Sequence, residues 1–61
     1  MSKDAAGEVA LIEGRLAAAR GDAAGAKERL EHGLELLSAN NPPEYWLIRM
    51  GQRELQKVAG R

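Results

Sequence analysis

The chain has no cysteine, no phenylalanine and no threonine. Without cysteine there is no disulfide and no thiolate metal site. That composition suits a reducing compartment, and a cytoplasmic location is expected. There is also no surplus of either charge, because nine Lys and Arg balance nine Asp and Glu. Binding to nucleic acid or to an anionic membrane rests on excess positive charge, so neutrality argues against both. No apolar run approaches the roughly 18 residues of a membrane span. The stretch Met1-Ser2-Lys3-Asp4 lacks the apolar core of a secretory leader. With 61 residues the chain forms one small domain. A domain of that size buries only about 60% of its unfolded surface and is marginal on its own.

Groups that carry chemistry are scarce too. Ser2, Ser38 and Tyr45 are the hydroxyl side chains, and both serines fall at expected helix ends. His32 is the single histidine. A metal site in a helical protein needs converging ligands such as a Glu-x-x-His pattern, but Arg29 stands three residues before His32. The histidine reads as part of a solvated acidic face with Glu28, Glu31 and Glu35. Gly21-Asp22-Ala23-Ala24-Gly25 precedes a helix, yet no strand leads into it and no Lys-Ser or Lys-Thr follows, so it is no phosphate loop. Neither catalysis nor a cofactor or metal is expected.

What remains is helical periodicity. A first helix is expected over about 4–20, capped by Ser2 or Asp4. Its stripe is Val9, Ile12, Leu16 and Ala19, at helical spacing. Gly21 stops it, since glycine takes the left-handed conformation at little cost. A second helix follows over about 23–38, with Asp22 as N-cap and the stripe Ala23, Ala26, Leu30, Gly33 or Leu34, and Leu37. With only Gly21-Asp22 between them, the two helices must turn back and pack antiparallel. A third helix is expected over about 42–59. There Asn41 is the N-cap, Pro42 takes the first helical position and Glu44 completes a capping-box-like pattern. Its stripe is Ile48, Gly51, Leu55 and Val58. The fold class is therefore all-α, with three antiparallel helices. Gly14 lies mid-helix, where glycine costs about 1 kcal/mol against alanine. Close packing on the second helix, near Ala26 or Leu30, is the expected compensation.

Gly14, Gly21-Asp22, Ala26, Leu30 and Gly33 together resemble a tetratricopeptide repeat, a helix-turn-helix unit of about 34 residues. The resemblance covers roughly Gly7 to Asn40 and resumes at Glu44, where Met50-Gly51 echoes the Leu-Gly pair of a following repeat. It implies one helical hairpin plus a third helix in the place of a cap. Ala10 and Ala17 stand where the family usually has aromatics, and Ser38 where it usually has proline. The resemblance also implies a concave face of Leu11, Arg15, Ala18, Tyr45, Ile48, Arg49 and Gln52. That set lacks the Lys- and Asn-rich pattern of repeats that clamp C-terminal carboxylates. A plain three-helix bundle stays open as the alternative.

Two further features concern partners. Arg49, Arg53, Lys57 and Arg61 recur at four-residue spacing, where like charges repel slightly. They are compensated by the acidic second helix or by solvent, or else offered to an acidic partner. Tyr45, Trp46, Leu47 and Ile48 nearly encircle one helix, and a single small core cannot bury them all on one side. Trp46 either folds over the core or serves an interface, where tryptophan is enriched. Repeat units bury their faces by stacking, so a lone hairpin wants a neighbour. The expected function is a non-catalytic protein–protein interaction module, homo-oligomeric or bound to a larger protein, using the concave set together with Trp46 and Arg53. Two other classes stay open. One is a small regulator or antitoxin-like adaptor touching nucleic acid through its basic third helix. The other is an accessory subunit of an enzyme complex.

Overall fold

Alanine-rich sequence favours helix, and the turn chemistry decides where each helix stops. The computed structural model describes residues 4–60. It contains α1 (Ala5–Ala19), α2 (Ala23–Ser38) and α3 (Trp46–Ala59). No strand occurs among the described residues. The proposed capping role of Ser2 lies outside them, as does Arg61.

The α1–α2 turn is built from backbone bonds that close the end of α1. Gly21 has φ +83°, in the left-handed region that glycine enters without strain. Its N–H donates to the Ala18 carbonyl at 3.1 Å, and the Asp22 N–H donates to the Ala17 carbonyl at 2.9 Å. This is the Schellman arrangement, which satisfies carbonyls a helix end would leave orphaned. Asp22 then starts α2, its Oδ1 accepting from the Gly25 N–H at 2.9 Å.

The other end of the hairpin departs from the expected capping of α3. Asn41 does not cap α3. Its side-chain amide donates to the Leu37 carbonyl at 3.0 Å and to Asp4 Oδ1 at 2.9 Å. It thereby closes the C-terminus of α2 and ties it to the start of α1. Pro42 is not the first residue of α3 either. A residue before proline is pushed away from the helical region, and Pro42 precedes Pro43. The chain makes a turn instead, with the Tyr45 N–H donating to the Pro42 carbonyl at 3.0 Å. α3 begins only at Trp46, four residues later than expected.

The core is a set of leucines seated over glycines. A Cβ added to Gly14 would lie 2.8 Å from Leu30 Cγ, and one added to Gly7 would lie 2.8 Å from Leu37 Cγ. On α2, a Cβ at Gly33 would meet the Gly7 carbonyl oxygen at 2.9 Å and Leu11 Cδ2 at 3.0 Å. On α3, a Cβ at Gly51 would meet Leu34 Cδ2 at 2.7 Å and Leu11 Cδ2 at 2.9 Å. Each missing side chain makes room for a leucine from a neighbouring helix. α2 lies in the middle, packing closely on α1 and also on α3, while α1 and α3 touch least. Ala10, Leu11, Ala26, Leu30, Leu37, Leu47, Ile48 and Val58 are buried, and no polar or charged side chain among the described residues is.

This packing overturns the expected inner face of α1. Val9, Ile12 and Leu16 are 53%, 57% and 52% exposed. The buried face is Gly7, Ala10, Leu11 and Gly14. At about 100° per residue the two sets fall on opposite sides of the helix. α2 brings its leucines against α1 at close range, and only the face with small residues admits them.

Candidate functional site

The surface of the hairpin is where the unsatisfied groups lie. On α1 the side chains of Val9, Ile12 and Leu16 form an apolar stripe pointing away from the buried face. Ile12, Leu16 and Arg15 line an open depression there. Arg15 is exposed and Glu8, seven residues earlier, is half-buried. Neither makes an ion pair among the described residues, whereas Glu13 does. Its Oε1 accepts from Arg29 Nη1 of α2 at 3.0 Å, with both side chains about half exposed. An exposed pair of this kind contributes about 0–1 kcal/mol.

The structure divides the expected concave set. Leu11 and Ile48, at 1% and 2% exposure, are core residues rather than surface contacts. Ala18 and Tyr45 are half-buried and pack against the core. Arg15, Arg49, Gln52 and Arg53 are exposed. The Tyr45 and Trp46 rings meet edge to face, with centroids 6.3 Å apart and planes at 67°. Trp46 does not fold over the core, since it remains 65% exposed while Leu47 beside it is buried. The four consecutive large residues at the start of α3 are thus split, two inward, one across the margin and one outward. Gln52 lines a second shallow depression with Leu55, Gln56 and Ala59.

The basic side chains of α3 are not matched by α2. Lys57 Nζ approaches Glu54 Oε1 of its own helix at 3.9 Å. Arg49 and Arg53 make no ion pair among the described residues. Solvent, not the acidic second helix, is what surrounds them.

The groups weighed for chemistry stay dispersed. His32 is exposed on α2, at a depression it shares with Glu28 and Arg29. No three His, Asp or Glu side chains among the described residues gather to hold a metal ion. Ser38 is exposed at the end of α2. Among the described residues no helix is long and apolar enough to cross a membrane.

The outward stripe of α1 is the feature that periodicity alone misassigned. A signal for it lay in the sequence. Gly7, Ala10, Gly14 and Ala17 also recur at helical spacing on α1, and α2 offers Leu30 and Leu37 to fill the space they leave. Comparison with known protein families, with curated proteins and with solved structures finds no match for this chain.

Proposed function

We propose that this chain is a non-catalytic protein–protein interaction module of tetratricopeptide-like design, working in the cytoplasm. One observation carries the reading. α1 holds three aliphatic side chains about half exposed on one line, on the side away from its core contacts. Single exposed aliphatic residues are ordinary, but an aligned set on one helix marks a surface that another protein covers. The repeat-like design is supported by the glycine–leucine seating of α1 on α2 and by the seating of Gly51 against Leu34 and Leu11. In such units a second hairpin or a capping helix covers each open face, and here α3 covers only one side of the hairpin.

The test is a photocrosslinking amino acid placed at Ile12, with a control at the exposed Glu31 of α2. Crosslinks to a protein chain from position 12 and not from position 31 agree with the reading. Equal or absent crosslinking at the two positions contradicts it.

A second reading has one observation in its favour, the exposed and unpaired Arg49 and Arg53 on α3. It assigns α3 to weak nucleic-acid contact. Such binding falls steeply with added salt, so titration of a labelled duplex at rising salt separates it from protein binding through an apolar stripe.

A further inference from the structure

The outward face of α1 has a regular order. Ala5, Val9, Ile12, Leu16 and Ala19 follow at alternating spacings of four and three. That is the seam of a coiled coil, in which one helix packs along another. Small Ala5 and Ala19 end the seam and the large aliphatics fill its middle. Along one edge of the seam stand Glu8 and then Arg15, seven residues apart. Both lie free of ion pairs among the described residues, on the edge opposite the Glu13–Arg29 bridge.

We infer that the partner of this face is a second copy of the same chain, with the two α1 helices antiparallel about a two-fold axis between Val9 and Ile12. This rests on the interaction-module reading and names its partner. A two-fold of this kind brings each seam edge against the same edge of the other copy, running in reverse. Val9 then meets Ile12 of the second copy, and Leu16 meets Ala5, because an antiparallel seam pairs its two alternating core positions. Glu8 comes opposite Arg15 of the second copy, and the pair is made twice. In the parallel arrangement each edge meets the opposite edge of the other copy, so Glu8 would face Glu13 and Arg15 would face Arg20, and like charges at such flanking positions disfavour it. The acid-then-base order of the edge therefore selects the antiparallel self-complex. An isologous contact of this kind closes on itself and stops at two copies. The stripe is small beside the roughly 1,200–2,000 Å² of a standard interface, so the dimer is a concentration-dependent one.

Sedimentation equilibrium of the full chain from about 1 µM to about 500 µM tests this by mass action. The expected result is a monomer at the dilute end and an average mass approaching twice the monomer at the concentrated end. Ile12→Lys should remove the association. Glu8→Arg and Arg15→Glu should each weaken it several-fold, and the double variant carrying both should restore it. Circular dichroism of each variant shows that the helices remain. A monomer throughout the range, or a dimer indifferent to Ile12→Lys, overturns the self-complex. So does a double variant weaker than either single one. Those outcomes leave the broader module reading standing, because the crosslinks from position 12 would then run to a different protein. Failure of the crosslinking itself, with the mass unchanged at every concentration, defeats both.

Discussion

Gly14 shows how a locally costly residue can stabilise the whole. In a helix interior it costs about 1 kcal/mol relative to alanine. In return Leu30 reaches full burial, and burying a leucine side chain contributes about 1.5–3 kcal/mol. The second effect is larger, so the glycine is favoured on balance. Gly14→Ala would regain helix propensity but place its Cβ 2.8 Å from Leu30 Cγ and 3.2 Å from the Leu30 backbone nitrogen. The backbone atom cannot rotate aside, so α1 and α2 must separate. Overpacking of this kind costs about 1–3 kcal/mol. We predict a lower melting temperature for Gly14→Ala and a larger drop for Gly14→Leu, read by thermal circular dichroism. An unchanged or higher melting temperature for either would contradict the close seating of the two helices.

At the scale of elements, Asn41 joins both ends of the hairpin's open side. One amide group donates to the Leu37 carbonyl, which also accepts from the Asn40 N–H, and to the Asp4 carboxylate at the start of α1. Asn41→Ala removes both hydrogen bonds, each contributing about 0.5–1.5 kcal/mol. The expected result is a loss of about 1–2 kcal/mol in denaturant unfolding. Faster hydrogen exchange should be confined to the first turn of α1 and the last of α2. Exchange that rises uniformly, or not at all, would contradict the bridging role. The same residue shows where reading from sequence runs out. The α1–α2 turn was legible because its signals are local: Gly21 needs only its own φ, and Asp22 caps three residues away. The inner face of α2 was legible because Ala26, Leu30, Gly33 and Leu37 keep one face at helical spacing. The start of α3 was not, because asparagine before proline reads as an N-cap until Pro43 and the free end of α2 compete for the chain. The inner face of α1 was missed for a non-local reason. Periodicity says which residues share a face, but the size of the side chains on α2 decides which face is admitted. Leu11 went into the core for the same reason, while Ile48 is buried where the stripe of the third helix places it, leaving Arg15 as the one member of the expected set that borders the exposed stripe of α1.

At the scale of the molecule, the Cα radius of gyration is 10.7 Å, close to the roughly 10.5 Å of a folded domain of this length. Compactness is reached with few large buried side chains, so each one matters to a marginal total. α1 turns its small residues inward and its aliphatic stripe outward, the face that we propose a second chain covers. Parallel substitutions at neighbouring positions test that directly. The stability of Ile12→Lys and of Leu11→Ala is measured by denaturant unfolding at low micromolar concentration, where self-association is absent. Glu8, one turn earlier, favours a lysine at position 12. The expected change for Ile12→Lys is within about 0.5 kcal/mol, as for other surface substitutions. The expected loss for Leu11→Ala is about 2–5 kcal/mol, as for a core cavity. Unfolding of Ile12→Lys with Leu11→Ala little changed would place the stripe in the core and contradict the account.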